Sequence, residues 1–84
     1  MLEASEIEAK LLAFLEREVF APEVVVTAET DLIAAGFDSM SLVQLLMFVE
    51  LTYGYWIPEQ EINAVTLCNL RTLAATLARL LHGE

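Results

Sequence analysis

Apolar residues recur at three- and four-residue spacing in two segments of the chain, and this is the pattern of amphipathic helices. The first segment contains Ile7, Leu11, Phe14 and Leu15. The last contains Leu70, Leu73, Leu77, Leu80 and Leu81. No segment alternates apolar and polar residues as a half-buried strand does. The chain is therefore predicted to be all-α, with a first helix from Ser5 to Val19 and a last helix that carries the leucine stripe.

Capping signals divide the rest of the chain into further helices. Ser5 and Glu8 have the spacing of a capping box at the start of the first helix. Asp38 is a good N-cap for a second helix that ends near Tyr53, because Gly54 supplies the usual C-terminal stop. The second helix is therefore predicted to run from its N-cap, Asp38, to about Tyr53.

The remaining segments predict a short helix and a long connection. Pro58 is expected to start a short third helix over Glu59 to Ala64, and Thr66 is expected to cap the fourth. The connection from Pro22 to Asp31 is long enough to need apolar anchors. The expected anchors are Val24, Val25, Val26, Leu32 and Ile33. Residues 1–84 are thus predicted to form a single domain, a four-helix bundle with a short third helix and a long loop between helices one and two.

The apolar composition does not predict a membrane span. The chain is 57% apolar with a mean hydropathy of +0.58, but Gln44, Glu50 and Gly54 interrupt its longest apolar stretches. These stretches fall short of the ~18 uninterrupted residues that a span needs. No basic and apolar leader follows Met1. A cytoplasmic monomer is the expectation, and the start at Met1 favours a free-standing protein.

Charge and cysteine content exclude several classes of site. Thirteen acidic residues against four basic ones give a net charge of −9, which disfavours nucleic acids and anionic membranes and favours basic partners. Cys68 is the only cysteine, so it forms no internal disulfide, and no Cys or His spacing suggests a metal site. Cys68 is predicted to be a small buried hydrophobe.

The run Gly36-Phe37-Asp38-Ser39-Met40 places a hydroxyl in the first turn of the second helix. Gly36 permits a sharp turn, and Asp38 can cap the helix while Ser39 points outward. Unpaired backbone N–H groups and the helix dipole favour a phosphate near this position. Ser39 is either part of ordinary capping chemistry or a site where a phosphodiester is attached.

A nucleophilic enzyme serine is not supported by the surrounding residues. The only histidine, His82, lies at the far end of the last helix, where it complements the helix dipole. A nucleophile elbow requires Gly two residues after the serine, and this chain has Ser41 there. We predict no catalytic residues and no catalytic activity of its own.

The second helix carries two apolar stripes, although a helix packed on one side needs only one. The predicted core face consists of Val43, Leu46, Val49 and Tyr53. The other face consists of Met40, Gln44, Met47, Phe48 and Leu51. Either the helix is buried all round, or the second face binds partners, for which methionine and exposed aromatic side chains are well suited.

The order of motifs resembles the acyl and peptidyl carrier protein family, whose members bind phosphopantetheine. The resemblance rests on Asp31-Leu32, the Gly36 to Met40 run, Leu42-Val43, the segment Tyr53 to Pro58, and Thr66. It implies the acyl carrier type of bundle, with 4'-phosphopantetheine attached to Ser39 beside Asp38. A phosphopantetheinyl transferase would transfer the arm from coenzyme A, which makes the product a phosphoprotein.

In this family the arm holds an acyl or aminoacyl group as a thioester, and the carrier presents it to successive enzymes. The implied partners are a loading enzyme, either an adenylating enzyme or an acyltransferase, and a downstream synthase or transferase. The second helix is the family's main recognition element. The predicted partner-binding residues are Met40, Gln44, Met47, Phe48, Leu51, Trp56 and Ile57.

Departures from the family pattern narrow the expected pathway. Fatty-acid carriers usually have acidic residues where this chain has Ser41 and Gln44, and its second helix is apolar instead. Trp56 replaces a residue that is typically polar, and it either packs or contacts a partner or substrate. We expect a carrier of polyketide, nonribosomal peptide or related specialised biosynthesis. The alternatives are a housekeeping fatty-acid carrier and a helical interaction domain that is never modified.

Overall fold

The computed structural model describes residues 3–83, which form helices and turns with no strand among them. The α-helices of this region are α1 (Ala4–Phe14), α2 (Leu32–Ala35), α3 (Ser39–Tyr53) and α4 (Leu70–Leu81). A π-helical turn, Leu15–Val19, continues α1, and a 3-10 turn, Glu59–Glu61, precedes α4. The prediction of an all-helical bundle is confirmed. The short α2 was not expected from the sequence. The helix predicted as the second one is therefore α3.

The first helix covers the predicted region but begins differently. The capping box is wrong, because the N-cap is Glu3 and Ser5 lies inside the helix. The Glu3 side chain makes no capping bond, and its carbonyl accepts from the N–H groups of Glu6 and Ile7, each at 3.1 Å. Beyond Phe14 the helix widens into the π turn, which ends where Phe20 N donates to Leu15 O at 2.8 Å.

The core lies between α1, α3 and α4. Leu11, Leu45 and Leu77 are fully buried, one from each helix, and α1 packs along α4. Burying such a leucine contributes about 1.5–3 kcal/mol, so these side chains dominate the stability of the bundle. Across residues 3–83, no helix has both the length and the apolarity needed to cross a membrane.

The long connection is anchored by part of the predicted set. Val26 and Leu32 are buried and Val24 packs against the core, as expected. Val25 is wrong as an anchor because it is 80% exposed, and Ile33 is also largely exposed. The α2 turn shortens the loop: the Asp31 side chain caps it by accepting from Ala34 N at 3.1 Å.

Both predicted ends of α3 are confirmed, but its buried face is rotated from the predicted one. Leu46 and Val49 are buried as expected, whereas Val43 is wrong as a core residue and is 49% exposed. Leu45 and Ser41 are buried instead, and Tyr53 is half-buried. The helix therefore turns its Leu45 side toward α1 and α4.

The segment before α4 is less regular than predicted. Helical structure after Pro58 stops at Glu61 and does not reach Ala64. Thr66 does not cap the last helix, because its hydroxyl donates to Asn63 O at 3.0 Å. Asn69 is the N-cap, and its side chain accepts from Thr72 N at 2.7 Å.

Cys68 is exposed, so the prediction of a buried thiol is wrong. It lies in the turn between buried Leu67 and the cap residue Asn69. Its thiol donates a long contact of 3.6 Å to Thr72 Oγ1. The leucine stripe of α4 is largely confirmed, with Leu80 and Leu81 half-buried toward the end of the helix.

Candidate functional site

Ser39 is the first residue of α3, and its side chain is exposed. The neighbouring Asp38 Oδ1 accepts from Ser41 N at 2.9 Å and from Ser41 Oγ at 3.0 Å. Ser39 Oγ has no hydrogen-bond partner among residues 3–83. The two serines of this turn therefore differ: the buried Ser41 is committed to the cap, and the Ser39 hydroxyl is free.

Asp38 is held in its charged form by the same contacts. The Ser41 backbone N–H, and then the Ser41 hydroxyl, lower the pKa of Asp38 below its ordinary value of 3.8. The cap also uses one backbone donor of the first turn that would otherwise be open to an anion. The helix dipole and the remaining N–H groups therefore attract a phosphate to this end of α3, whereas the negative charge of Asp38 repels it.

Gly36 turns the chain from α2 into the start of α3. Its φ is +122°, a conformation that an L side chain adopts only with strain. Its N–H donates to Ile33 O at 3.1 Å, and Phe37 N donates to Leu32 O at 2.9 Å. The turn buries Phe37 and leaves Asp38 and Ser39 at the surface.

An apolar groove of about 190 Å³ lies beside Ser39. We call it the Ser39 groove. Its lining residues are Ile33, Phe37, Asp38, Ser39, Leu42, Ile62 and Leu67. Ser39 stands at a groove whose other walls, apart from Asp38, are apolar, so a group attached to its hydroxyl has an apolar surface next to it.

The outer face of α3 is exposed and apolar. We call the four side chains on it the α3 ridge: Met40, Val43, Met47 and Leu51. Met40 and Leu51 are 70% and 82% exposed. The helix is therefore not buried all round, and Met40, Met47 and Leu51 lie on an open face, as the partner-binding hypothesis requires. Val43 belongs to this face although the sequence placed it in the core.

A second groove, of about 250 Å³, lies between α3 and the end of the first helix. We call it the α1–α3 groove. Its lining residues are Phe14, Arg17, Glu18, Gln44, Met47, Phe48 and Leu51. The rings of Phe14 and Phe48 stack with centroids 4.5 Å apart and planes 15° apart. Gln44 Nε2 donates to Glu18 O at 3.3 Å, so α3 satisfies a carbonyl left open by the π turn.

The two remaining predicted partner-binding residues, Trp56 and Ile57, differ in their exposure. Trp56 is 55% exposed, so it is not a core residue. Its neighbour Ile57 is fully buried and so is not available for direct contact with a partner. His82 is the C-cap residue of α4 and is not among the residues that line the Ser39 groove.

Comparison with known proteins adds no assignment: no protein-family model matches the chain, and no solved structure gives a significant match. Within the described part of the chain, no group of three or more His, Cys, Asp and Glu residues has the arrangement of a metal site.

The hydrogen bond from Gln44 to Glu18 was not predicted from the sequence. The only local signal for this bond was Gln44 itself, a polar residue on the outer side of α3 near the end of the first helix.

Proposed function

We propose that the chain is a carrier protein that receives a 4'-phosphopantetheine arm on Ser39 and presents an acyl or aminoacyl group to partner enzymes. The observation that carries the proposal is the free, exposed hydroxyl at the first residue of α3. The adjoining Ser41 is unavailable because it is buried and bonded to Asp38. The family resemblance of the surrounding motifs points to the same serine.

The residues present fit such a group. Ser39 offers an accessible oxygen for the phosphodiester, the end of α3 favours its negative charge, and the Ser39 groove offers apolar contact. When attached, the arm supplies a thiol that holds the cargo as a thioester. Asp38 fixes the start of α3 and so positions Ser39. The tether raises the effective concentration of the cargo at each partner.

The attachment reaction needs an external enzyme. Asp38 is the nearest acidic group in sequence, and its lowered pKa makes its carboxylate a poor proton acceptor. Ser39 Oγ would form a phosphodiester with the phosphate next to pantetheine in coenzyme A, the pyrophosphate bond of coenzyme A would break, and adenosine 3',5'-bisphosphate would leave. The proton of the Ser39 hydroxyl is expected to pass to a base supplied by the phosphopantetheinyl transferase. The chain is in this sense a substrate of other enzymes and not itself a catalyst.

The α3 ridge favours partners that bind through apolar contacts. The two positions that are usually acidic in fatty-acid carriers are Ser41, which is buried, and Gln44, which is bonded to the Glu18 carbonyl. Neither offers a carboxylate to a basic partner. We therefore propose a role in polyketide, nonribosomal peptide or related biosynthesis, with an adenylating enzyme or acyltransferase loading the chain and a synthase or transferase receiving the cargo.

The test is incubation with coenzyme A and a broad-specificity phosphopantetheinyl transferase, followed by intact mass and fragment mapping. We expect one phosphopantetheine on Ser39, none in Ser39→Ala, and retained modification in the matched control Ser41→Ala. A folded protein that gains no mass would refute the proposal and leave an unmodified interaction domain. Modification followed by efficient use by fatty-acid synthase enzymes would move the carrier to housekeeping metabolism.

A further inference from the structure

We infer that the backbone of Val24, Val25 and Val26, which we call the valine segment, binds an extended, lysine-flanked segment of a partner protein by strand pairing. The valine segment lies in the connection between the first helix and α2. None of its residues lines either groove or belongs to the α3 ridge. The inference does not involve the phosphopantetheine arm and so goes beyond the proposed function.

The valine segment has the composition and the burial pattern of a strand. With Thr27 it forms the longest run of β-branched residues in the chain, and such residues favour an extended backbone. Val24 and Val26 pack into the core, whereas Val25 between them is 80% exposed. This alternation places successive side chains on opposite sides, as in a strand. The valine segment therefore resembles one strand of a sheet, with one side fastened to the core.

The backbone of this segment has no partner strand. The N–H and C=O groups of Val25 and Val26 make no hydrogen bond to any residue in the range 3–83, and neither does the C=O of Val24. At Val25 these groups belong to a residue at the surface. An open edge of this kind is a template for an added strand, because one residue of an extended peptide can bond both groups of Val25.

Turns on both sides hold the valine segment in place before any partner arrives. On one side, Val24 N donates to Ala21 O at 2.9 Å and closes a turn that contains Pro22. On the other side, Thr27 N donates to Thr30 Oγ1 at 2.7 Å, and Thr30 N donates to Thr27 O at 3.1 Å. Binding at a segment that is already fixed costs little additional ordering of this chain.

The charge beside the segment favours lysine at the ends of the partner segment. Glu23 is exposed and takes part in no ion pair within the described part of the chain, whereas Glu29 pairs with Arg71. In an antiparallel pair, a lysine two positions from the residue opposite Val25 would lie beside Glu23. A second copy of this chain fits less well, because each copy carries −9 and its own Glu23. The occupant is therefore an extended partner segment with β-branched side chains between lysines.

The test titrates isotope-labelled, unmodified protein with the end-blocked peptide lysine-valine-threonine-valine-lysine, followed by amide chemical shifts and hydrogen exchange. We expect shifts centred on Glu23 to Thr27 and slower exchange of the Val25 N–H. The same peptide N-methylated at its three central residues keeps the side chains but loses the backbone donors, and it should bind at least ~5-fold more weakly. A peptide with glutamate in place of lysine should also bind more weakly, and that difference should shrink as salt is raised.

Variants of the protein locate the site. Val25→Pro removes the N–H at the centre of the open edge and should weaken the lysine peptide at least ~5-fold. The matched control Val25→Thr keeps both the N–H and the β-branched shape, so its affinity should stay within ~2-fold of wild type. Val65→Thr, which changes another exposed valine, should leave the affinity unchanged. Circular dichroism checks the fold of each variant, and if Val25→Pro does not fold, the N-methylated peptide decides.

Several results would overturn the inference. Equal binding of the plain and N-methylated peptides would exclude strand pairing, and equal binding of the lysine and glutamate peptides would exclude a lysine-flanked partner. The absence of shifts at peptide concentrations of several millimolar, or shifts centred outside Glu23 to Thr27, would exclude the site. Shifts of the protein alone that grow with its concentration would show a second copy there instead. Because the titration uses unmodified protein, its outcome is independent of whether Ser39 gains mass.

Discussion

Leu46 and Leu51 are the same residue type on one helix and face opposite environments. Leu46 is 2% exposed within the core, and Leu51 is 82% exposed. Burying a leucine side chain is worth about 1.5–3 kcal/mol, and the cavity left by truncation adds to the loss. Leu46→Ala is therefore expected to reduce the free energy of unfolding by about 2–5 kcal/mol. Leu51→Ala is expected to change it by no more than about 0.5 kcal/mol.

The loss at Leu46 is large relative to the whole protein. A chain of 84 residues has a free energy of unfolding of roughly 4–13 kcal/mol at ~0.05–0.15 kcal/mol per residue. At about 4–8 °C per kcal/mol for a domain of this size, the Tm of Leu46→Ala should fall by at least about 8 °C. The assay is urea and thermal unfolding followed by helical circular dichroism, with wild type, Leu46→Ala and Leu51→Ala measured in parallel.

The comparison has a clear refutation. If Leu46→Ala costs only a few tenths of a kcal/mol while Leu51→Ala costs several, the buried and exposed faces of α3 are reversed. Equal and large losses would mean that the α3 ridge is covered in solution by another part of the protein or by a second copy. Either result would remove the basis for treating the ridge as a binding surface.

Two further predictions concern titratable groups. Because the pKa of Asp38 is lowered on folding, its charge should stabilise the protein at neutral pH, and this contribution should disappear as the pH falls below 3.8 toward the folded-state pKa. The free energy of unfolding should be larger for wild type than for Asp38→Asn at neutral pH, and this difference should shrink in acid. A difference that stays constant with pH would contradict a lowered pKa for Asp38. The Tyr53 hydroxyl is buried without a hydrogen-bond partner among residues 3–83, and burial, then the charge of Glu6, raises the pKa of Tyr53. Tyr53→Phe should therefore equal or exceed wild type in urea midpoint, and a loss above about 1 kcal/mol would show that the hydroxyl is bonded.

Local signals predicted the ends of α3 correctly. The Asp38 cap is a bond between residues three apart, and Gly54 ends the helix at a φ of +70° that its lack of a Cβ permits. The same reasoning failed where two local signals compete. Thr66 has the chemistry of a cap, but its hydroxyl is used by Asn63, and Asn69 caps α4 one turn later. Residue type alone does not rank such competitors.

The orientation of α3 was harder to predict because the helix is apolar on more than one side. Val43 and Leu45 are both aliphatic, and only the packing of α3 against the shared core decides that Leu45 is buried and Val43 exposed. Trp56 and Ile57 show the same limit, since either apolar side chain would gain from burial and only Ile57 is enclosed by the core.

The sequence alone predicted the helical class, the cap that starts α3, and the exposed hydroxyl of Ser39. Each of these features depends on residues within a few positions of one another. Tertiary structure alone decided which side of α3 forms the ridge, and it created both grooves. The bond from Gln44 to Glu18 joins residues 26 positions apart and links α3 to the π turn, and the stack of Phe14 on Phe48 links α3 to the end of α1. Contacts of this kind depend on how the helices pack around a shared core, which no local pattern encodes.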